Sequence, residues 1–397
     1  MKKILFLTPQ LPYPPISGGT IKTYKMIEFL SKKYEITLAC LLKNDDEKKL
    51  EEYQHISGLK NIISEPLQVE RNAGNLVRSN LKMIPLNLFR NLSERFRIKL
   101  EGEWDQHDIL LVDHYVMFQY VPENIKAKVI LHQHNCEYLI WDRYAAIEKN
   151  ILKKIALWNQ SWHIKRYEQK ICRRADTILA APNDIEELVS IGAERSKFYT
   201  TYHLGDDSLL SLPDLHYSNS EKSLLYVGTL SWEANINGLL WFYSSAWPLI
   251  KAKHPDLKFY IVGKNPDDRI TAFAEKDPQI ILTGYVEDLE PYFQRSRAFI
   301  SPLLFGSGIK VKVISSLYRG IPCVTTSIGA EGLYLKDGKE LFIRDNASGF
   351  ADAIHILLTD PVKWESMSVM ARSTAKEKLS WDSVYKNLEA AMEGVSG

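Results

Sequence analysis

The sequence predicts an α/β protein with two domains, each built on a parallel β-sheet. The number of domains follows from the length, because 397 residues are too many for one ordinary core and suit two domains of roughly 200 residues each. The class follows from the alternation of short, continuous apolar runs with helical patterns, as in strands that helices cover on both faces. This alternation occurs twice, on either side of the polar stretch 208–223, which is predicted to be a linker.

Composition narrows the class of protein. The chain is 45% hydrophobic and 25% charged, as folded soluble proteins are, and its formal net charge of +1 excludes a strongly basic protein but not a local basic patch. Its four cysteines are widely spaced without a Cys-x-x-Cys pair, which indicates neither a zinc site nor a disulfide framework. The apolar start is too short for a signal peptide, and no stretch approaches the ~20 apolar residues of a membrane span. A cytoplasmic setting is therefore expected.

The first domain is predicted to span residues 1–207. It opens with a strand at 4–8, a glycine pair at Gly18 and Gly19, a helix, and a second strand at 34–42. Strand, helix and strand in this order predict a parallel sheet. The glycine pair stands at the strand-to-helix turn, where it either lets the chain turn or lets a ligand approach the backbone. The residues alone leave both interpretations open.

Polar side chains stand where two further strands of this domain end. Asp113 and His114 close the strand that begins at 108, and His132, His134, Asn135 and Glu137 close or follow the strand that begins at 128. Ligands meet doubly wound sheets at the carboxyl ends of strands. The histidines raise the question of a metal, but strand alternation puts His132 and His134 on one face without a third ligand at a fixed spacing. A structural role, in which hydrogen bonds hold the loops, is the alternative to ligand contact.

Two basic segments of the first domain suggest contact with an anionic surface. Residues 60–99 interleave apolar residues with Arg71, Arg78, Lys82, Arg90, Arg95, Arg97 and Lys99. Amphipathic helices with a basic side are expected there, either as solvated faces or as a contact with an anionic membrane or a lipid-diphosphate acceptor. A long helix is predicted at 150–175, with Trp158 and Trp162 facing the core. Nothing else supports nucleic acid as a partner.

The second domain, predicted at 224–378, contains the most informative stretch. An apolar strand at 298–302 leads into a glycine loop and then into a helical pattern that begins near Ile309, carries two lysines and ends at Gly320. The loop and the lysines are Gly306-Ser307-Gly308, Lys310 and Lys312. A strand, a glycine turn and a helix put backbone N–H groups and the positive helix end where phosphates bind. A diphosphate-bearing ligand is the functional hypothesis, and a glycine turn with two solvated lysines is the alternative.

Four motifs of the second domain occur in the order and spacing of a known family. They are YVGTLSW at 226–232, IVGK at 261–264, LTGYVEDL at 282–289 and PLLFGSGIKVK at 302–312. With them, nearly the whole chain resembles the family-4-type glycosyltransferases of the GT-B fold, in particular the polysaccharide-biosynthesis branch. The resemblance implies two Rossmann-like domains whose parallel sheets face each other across a cleft. It also implies a C-terminal helix, 379–397, that crosses back to the first domain with Trp381 as its anchor.

The resemblance further implies which residues form the site. A departing diphosphate gathers negative charge, and Lys310 is expected to stabilise it, beside a sugar-contacting His134. The donor-binding residues would be Gly18, Gly19, Gly228, Asn235, Gly306, Ser307, Gly308, Lys312, Ser315 and Glu331, and the acceptor-binding residues Asp113, His114, Asn135 and Glu137. Glu331 could instead cap a helix.

No metal and no cofactor are expected. The acidic pairs Asp206-Asp207 and Asp267-Asp268 fall in loops and do not suggest a metal cage. The nucleotide-diphosphate sugar, foremost a UDP-sugar, would be a co-substrate.

The sequence departs from the family's usual pattern at several places. Relatives often carry Arg and Lys where this chain has Thr229 and Ala234, so the usual pair of phosphate-binding cations is absent. Many carry glutamates where this chain has Ser307 and Ser315, and the second of these normally binds ribose hydroxyls. A serine at 315 would hold the donor more weakly than a carboxylate. The turn that begins at His203 also differs from its usual Asn-Gly-Val-Asp form.

The predicted function is glycosyl transfer. A sugar would move from the nucleotide-diphosphate sugar to a glycan, a lipid-linked acceptor or another hydroxyl, in the synthesis of cell-surface polysaccharide or glycoconjugate. The resemblance implies retention of anomeric configuration, and the basic segments are compatible with work at the inner face of the membrane. Two alternatives stay open: a GT-B nucleotide-sugar epimerase, and a degenerate GT-B protein that acts as a non-catalytic partner subunit.

Overall fold

The computed structural model of the protein describes residues 1–16, 18–43, 46–56, 58–70, 72–202 and 204–394. Arg71, His203 and the last three residues of the predicted C-terminal helix lie outside the described residues. The chain divides into two compact units, Met1–His203 with Asp382–Gly397 and Leu204–Trp381, hereafter the first and the second unit.

The first unit contains a seven-stranded parallel sheet. Its strands are β1 (Lys3–Thr8), β2 (Glu35–Leu42), β3 (Asn61–Pro66), β4 (Ile109–Asp113), β5 (Lys128–His132), β6 (Thr177–Ala180) and β7 (Phe198–Thr200), in the order β3-β2-β1-β4-β5-β6-β7. In the central strand, Leu5 and Phe6 point to opposite faces and are each no more than 1% exposed. Helices therefore cover both faces of the sheet, as the continuous apolar runs predicted.

The second unit contains a six-stranded parallel sheet. Its strands are β8 (Glu221–Val227), β9 (Lys258–Val262), β10 (Ile280–Gly284), β11 (Ser296–Ser301), β12 (Cys323–Thr325) and β13 (Phe342–Ile343), in the order β10-β9-β8-β11-β12-β13. Leu224, Leu225 and Tyr226 of the central strand are fully buried. The predicted class, α/β with two parallel sheets, is confirmed.

The helices flank the two sheets. In the first unit they are α1 (Gly18–Leu30), α2 (Asp46–Ile56), α3 (Ala73–Leu81), α4 (Leu86–Arg90), α5 (Glu94–Leu100), α6 (Glu137–Ile147), α7 (Ile151–Arg174) and α8 (Pro182–Ser190). In the second they are α9 (Glu233–Trp241), α10 (Trp247–Lys253), α11 (Asp268–Lys276), α12 (Glu290–Arg295), α13 (Val311–Arg319), α14 (Ser327–Ala330), α15 (Ala347–Thr359) and α16 (Pro361–Lys378), and α17 (Trp381–Gly394) follows. Within the described ranges, no helix is both long enough and apolar enough to cross a membrane.

The stretch 208–223, predicted as a linker, lies within the second unit. Two buried or half-buried arginines hold its backbone. Arg372 donates to the carbonyls of Leu210 (2.8 Å) and Leu212 (2.9 Å), and Arg319 donates to that of Pro213 (2.7 Å). Because its carbonyl groups are satisfied by these side chains, the segment packs against the unit although its composition is polar.

Helix α17 joins the first unit after the chain leaves the second. Tyr385 stacks on Phe29 with ring centroids 4.2 Å apart, and Leu388 lies in the hydrophobic core of the first sheet. Trp381, at the start of α17, is 4% exposed and donates from Nε1 to the carbonyl of Gly205, 3.0 Å away. This hydrogen bond fixes the point at which the chain leaves the second unit.

Helix α7 turns Trp158 and Trp162 outward, so the prediction that they face the core is wrong. Both indoles are 47% exposed. The buried face of α7 uses positions three or four residues apart, among them Leu157, Ser161, Ile164, Glu168 and Ile171. Each tryptophan comes one residue after such a position, which rotates it by about 100° around the helix.

The order of strands fixes where each sheet can present a site. β1 lies between β2 and β4, and β8 lies between β9 and β11, so the connections leave in opposite directions on either side of β1 and of β8. In open parallel sheets, ligands bind beside the carboxyl ends of the two strands at such a reversal. Ligand-binding sites are therefore expected in the loops that follow β1 and β4, and in those that follow β8 and β11.

Candidate active site

The predicted site residues fall into two groups, one in each unit. Gly18, Gly19, Asp113, His114, His134, Asn135 and Glu137 belong to the first unit, and Gly228, Asn235, Gly306, Ser307, Gly308, Lys310, Lys312, Ser315 and Glu331 to the second. Within each unit, they follow strands at the carboxyl edge of the sheet.

Asp113 is the centre of a hydrogen-bond network in the first unit. Its Oδ1 lies 2.5 Å from His134 Nε2 and 2.7 Å from His132 Nδ1, and its Oδ2 accepts from the hydroxyls of Thr23 (2.6 Å) and Thr8 (3.1 Å). The carboxylate is fully buried. Asp113 therefore orients His134, and the expectation that it contacts an acceptor stays a prediction.

The carboxylate fixes which nitrogen of His134 carries a proton. Because Nε2 faces the Asp113 oxygen, the bond requires a proton on Nε2. The other nitrogen, Nδ1, faces the start of α1, since a Cβ added to Gly19 would lie 3.8 Å from it. Gly19 thus packs directly against the imidazole at the amino end of a helix.

The geometry of Asp113, His132 and His134 fits hydrogen bonds better than a metal. Their ligand atoms lie within 4.8 Å of one another. However, two imidazole nitrogens approach the same carboxylate oxygen to 2.7 Å and 2.5 Å. Ligands about 2.0–2.2 Å from a tetrahedral zinc would stay more than about 3 Å apart. The network is therefore interpreted as a carboxylate that positions two histidines.

Burial sets the charge states in this network. Burial alone raises the pKa of Asp113, but the nearby His134 and His132 outweigh it and hold the pKa well below its usual value. Burial lowers the pKa of His132 to about 4 and that of His114 to about 3. An anionic Asp113 with neutral His132 and His114 is the state expected near neutral pH.

His114 has a strained backbone at the end of β4. Its φ of 84° is unusual for a residue other than glycine. Its ring centroid lies 5.0 Å from that of His134, and its Nδ1 lies 3.4 Å from the amide nitrogen of Val116. Strain of this kind persists where the surroundings enforce it, and it is common in functional sites.

His114 and Glu137 line a cavity of about 230 Å³ in the first unit. Its walls also include Lys43, Asn87, Arg90 and Asn91. Glu137 Oε1 accepts a hydrogen bond of 2.9 Å from Asn87. Asn135, the remaining predicted acceptor contact, lies partly exposed in the loop between β5 and α6. The structure thus brings two of the four predicted acceptor residues to one cavity.

Glu168 positions Glu137 and was not among the predicted site residues. This fully buried carboxylate on α7 accepts the backbone N–H groups of Glu137 (2.8 Å) and Tyr138 (3.0 Å), at the start of α6. Burial raises its pKa to about 8, although these two hydrogen bonds oppose the rise. The sequence did contain a signal for this role: Glu168 lies at a buried position of the helical pattern, between Ile164 and Ile171, where a carboxylate needs a hydrogen-bond donor.

Lys22 is a second residue that sequence reasoning missed. It is fully buried on α1, one turn after Gly18, and it donates to the Thr201 hydroxyl and to the Tyr202 carbonyl, 2.6 Å away. Burial lowers its pKa to about 7, although the charge of Asp113 acts in the opposite direction. Lys22 ties α1 to the end of β7, and with it the glycine pair at the start of the helix.

In the second unit, Lys310 is already paired. It is 6% exposed, and its Nζ donates to the Gly308 carbonyl (2.6 Å) and lies 3.3 Å from Glu331 Oε2. Gly306 and Gly308 have φ angles of 144° and 71°, which glycine adopts readily. Lys310 was expected to face a departing diphosphate, but its ammonium instead forms an ion pair that closes the glycine loop. Glu331 is the partner in that pair, and it also stands at the C-cap position of α14.

Lys312 has neutral partners and lies under the loop after β8. Its Nζ is 2.8 Å from Tyr226 Oη and 2.7 Å from Asn235 Oδ1, and Asn235 Nδ2 donates to the Thr229 carbonyl (2.8 Å). A Cβ added to Gly228 would lie 2.8 Å from this ammonium. Enclosure of the ammonium lowers its pKa to about 7. Asn235 thus ties a cation on α13 to the turn at Gly228 and Thr229.

Ser315 lies against the backbone of Gly205. A Cβ added to Gly205 would come within 2.9 Å of Ser315 Oγ and 3.3 Å of Val311. Ser307, the other position of a usual glutamate, is 5% exposed within the glycine loop. The small residue at 315 is therefore matched to close packing of the 204–205 backbone on α13.

Sequence comparison supports the resemblance. Residues 221–360 match the family described as Glycosyl transferases group 1. A 44.6 kDa protein in the cps region of Klebsiella pneumoniae is 25% identical over 363 residues, which cover 89% of this chain and 90% of that protein.

Structural comparison shows the fold. A TarM mutant of S. aureus, in complex with fondaparinux, alpha-GlcNAc-glycerol and UDP, superposes with a TM-score of 0.70 at 12% identity, covering 98% of this chain and 99% of that one. HepE of Anabaena, in complex with UDP and glucose, gives a TM-score of 0.67 at 12% identity, with 99% and 100% covered. The chain is a glycosyltransferase of the GT-B fold, and its second unit carries the match to the group 1 family.

Proposed function

We propose that this protein moves a sugar from a nucleotide-diphosphate sugar, foremost a UDP-sugar, to a hydroxyl of a glycan or lipid-linked acceptor in the synthesis of cell-surface polysaccharide or glycoconjugate. The donor would bind the second unit, beside Gly228, Asn235 and Lys312. Support for the ligands comes from TarM, in complex with UDP and alpha-GlcNAc-glycerol, and from HepE, in complex with UDP and glucose. The cps-region relative suggests the polysaccharide context.

The position of Lys312 carries the donor part of the proposal. Breaking the bond between the anomeric carbon and the diphosphate leaves negative charge on the phosphate oxygens, and a preorganised cation lowers the cost of that charge. Lys312 supplies a cation whose polar contacts are the neutral Tyr226 and Asn235. A bound diphosphate would favour its protonated form, since burial now disfavours it.

Backbone groups would add to this charge stabilisation. α13 begins at Val311, directly after the glycine loop, so its first N–H groups and its positive dipole end lie beside the loop. Lys310 would hold the loop in shape through Gly308 and Glu331 rather than meet the phosphate. Lys312 and the first N–H groups of α13 would thus take the place of the Arg and Lys that the resemblance leads one to expect at positions 229 and 234.

We infer that transfer needs no metal. Asp206 and Asp267, one from each loop pair, cap short helical segments. Asp206 accepts from the amide of Ser208 (3.0 Å), and Asp267 accepts from the amide and guanidinium of Arg269 (3.0 Å and 2.8 Å). Both carboxylates thus have structural partners. We also propose that the transfer retains the anomeric configuration of the sugar. Only the resemblance to the glycosyltransferase family supports this part of the proposal.

The first unit would present the acceptor. His134, oriented by Asp113 and packed against Gly19, would contact the transferred sugar. Asn135 and the cavity at His114 and Glu137 would receive the acceptor. In this arrangement Asp113 acts through His134 and is a positioning residue.

We further propose that the first unit touches an anionic membrane surface. Asn80 on α3 accepts from Asn159 (2.9 Å) and Gln160 (3.0 Å) on α7, so the two helices share one surface. That surface exposes large apolar side chains, namely Val77 (58%), Leu81 (80%), Met83 (71%), Ile151 (64%), Leu152 (76%), Ile155 (54%), Trp158 (47%) and Trp162 (47%). Arg78, Lys82, Lys154 and Arg166 stand among them. Apolar side chains with interfacial tryptophans and basic residues match an anionic lipid surface.

A panel of nucleotide sugars tests the proposed reaction. At least one donor should raise the melting temperature, because a ligand that binds only the folded state stabilises it. Product should then form from that donor when an acceptor is added. If no nucleotide sugar stabilises the protein and none is consumed, the proposal fails. Conversion of the donor without an acceptor would point to an epimerase instead.

A further inference from the structure

We propose that the carboxyl-terminal half of α7 binds the phosphate head groups of anionic lipids, with Arg166 and Arg173 as the residues that recognise them. The site is a surface hollow of about 610 Å³ in the first unit. Its lining side chains are Glu123, Arg166, Gln169, Lys170, Arg173 and Arg174. This inference rests on the proposed membrane contact of the first unit and deepens it by naming the lipid group that is recognised.

Contacts on both sides of α7 define the walls of the hollow. On one side, Gln169 Nε2 donates to the first carbonyl of the turn at 191–192, 2.7 Å away. Arg173 Nη2 lies at the same turn, 4.0 Å from where a Cβ would stand on its glycine. On the other side, Arg174 donates to the carbonyl of Pro122 (2.6 Å). Helix α7 is therefore the floor of the hollow, between this turn and the loop that contains Pro122.

The hollow carries more positive charge than its carboxylate balances. Glu123 Oε1 lies 2.9 Å from Lys170 Nζ, and Glu123 Oε2 lies 3.5 Å from Arg174 Nε. Arg166 and Arg173 are exposed, and among the residues that the structure describes no carboxylate forms an ion pair with either of them. Two guanidinium groups thus remain for an anion. Guanidinium groups suit phosphate, because they can bind it through two parallel hydrogen bonds.

Arg166 is held by an aromatic ring. Its guanidinium carbon lies 4.0 Å from the ring centroid of Trp162, one turn earlier on α7. The ring attracts the cation but is not one of the carboxylates that guanidinium groups usually bind. The contact therefore directs the Arg166 side chain without neutralising its charge.

The hollow continues an apolar seam on the same helix. One exposed face of α7 carries side chains at intervals of three or four residues, namely Ile155, Trp158, Trp162, Arg166, Lys170 and Arg173. The first three are apolar and the last three are basic. From Trp158 to Arg173 the helix rises about 22 Å. An anionic lipid layer offers both an apolar region and phosphates, whereas a soluble acidic glycan has no partner for the apolar half.

The hollow lies away from the candidate active site of the first unit. α7 ends at Arg174, and β6 begins at Thr177, so the last turns of α7 lie towards the amino ends of the strands. The predicted site residues stand at the carboxyl ends, where ligands of open parallel sheets bind. Glycosyl transfer therefore gives no reason for the cations of the hollow, and contact with an extended surface does.

The experiment measures sedimentation of the full chain with vesicles of phosphatidylcholine that contain increasing fractions of phosphatidylglycerol. Arg166→Gln with Arg173→Gln should weaken binding about tenfold or more. Lys32→Gln with Lys48→Gln, at two exposed lysines of the first unit, removes the same charge and should have little effect. All four positions are exposed, so equal melting temperatures serve as the check on folding. An equal loss in both double variants would show that net charge alone matters and would overturn the inference.

A conservative variant separates a phosphate site from diffuse attraction. Arg166→Lys with Arg173→Lys keeps both charges but removes the planar forks, so vesicle binding should still weaken severalfold. Binding equal to that of the wild type would contradict the proposed recognition. Soluble polyglucuronate is the second probe. If the glutamine double variant loses affinity for polyglucuronate and keeps its affinity for vesicles, the surface serves an acidic glycan and the inference is overturned.

The membrane contact and the head-group site fail separately. Leu81→Ser with Leu152→Ser tests the contact through its apolar side chains. Loss of vesicle binding in that variant, with full binding in the arginine variants, would leave the membrane contact standing and overturn only the head-group site. A wild type that binds no vesicle overturns both, and failure of the donor panel affects neither.

Discussion

Lys312 Nζ lies 2.7 Å from Asn235 Oδ1, and this contact joins the helices α9 and α13 near the carboxyl edge of the second sheet. Asn235 follows β8 and Lys312 follows β11, the two strands between which the sheet reverses its order. The lysine enters under Gly228, where any larger side chain would collide with its ammonium. Through Asn235, the lysine is tied to the turn at Thr229, where the resemblance led to the expectation of an arginine.

Asp113→Asn should lower kcat on the order of tenfold or more with little effect on the fold. The neutral amide oxygen accepts from His132 and His134 more weakly than the carboxylate does, so the Nε2-protonated form of His134 loses part of its support. Kinetics across pH and the ¹⁵N shifts of the His134 ring measure the change. A purely structural Asp113 would leave the tautomer of His134 and the pH profile as they are.

Stability should fall as pH is lowered from about 7 to 5. The folded-state pKa values of His132 and His114, about 4 and about 3, are below the value near 6.5 in the unfolded chain. The unfolded chain therefore binds more protons below pH 6.5, and each histidine removes roughly 1.4 kcal/mol of stability per pH unit in that window.

Asp113 extends this loss to lower pH. Its folded-state pKa is depressed, so its contribution is present above the unfolded value near 4 and disappears as pH falls further. Urea unfolding at several pH values measures the slope. His132→Gln should flatten it, and His55→Gln, at an exposed histidine, should not. Equal slopes in all three proteins would contradict the prediction.

Ser315→Glu should destabilise the second unit without strengthening donor binding. The longer side chain must displace the Gly205 backbone, which lies against Ser315 Oγ, and overpacking of this kind costs about 1–3 kcal/mol. Ser315→Ala removes only the hydroxyl and is the control. Thermal melts and UDP titrations of the three proteins make the comparison. A stable Ser315→Glu protein that binds UDP more tightly would mean that the position is an unfilled ribose contact.

The exposed surface on α3 and α7 should bind vesicles that contain phosphatidylglycerol and not vesicles of phosphatidylcholine alone, because its basic residues need anionic lipid. Combined replacement Leu81→Ser and Leu152→Ser should weaken sedimentation with the vesicles at least about tenfold. Val362→Ser with Val369→Ser, at two exposed valines of the second unit, serves as the matched control. Vesicle binding that is absent in the wild type, or equal in both double variants, would contradict this prediction.

Most of the sheet was predictable because the central strands are continuous apolar runs. β1, β4, β5 and β11 all fall where the sequence predicts them. The edge strands β3, β7 and β13 were missed, because β3 and β7 are partly exposed and β13 is only two residues long. The break between α15 and α16 at Asp360 and Pro361 has a visible signal in the sequence, since proline favours the first turn of a helix.

The roles of the two lysines could not be read from the sequence, because they depend on where α13 begins. A start near Ile309 was predicted, whereas the helix starts at Val311. Each residue turns a helix by about 100°, so a shift of two positions reverses the direction of a side chain. Lys310 precedes the helix and meets Glu331, which is 21 residues away in sequence. A contact between residues so far apart in sequence cannot be predicted from a local pattern. The same holds for the burial of Asp113 beneath His134, which is also 21 residues away.

The central claim is that Lys312 stabilises the departing diphosphate, and donor turnover by three lysine variants tests it most directly. Lys312→Met should lower kcat/KM for the donor about a hundredfold or more, as loss of a charged transition-state contact does. Lys310→Met should mainly lower the melting temperature, because it removes a largely buried ion pair with Glu331. Lys339→Met, at an exposed lysine of the same unit, should change neither. Unchanged turnover in a folded Lys312→Met protein, with the loss found in Lys310→Met instead, would contradict the claim.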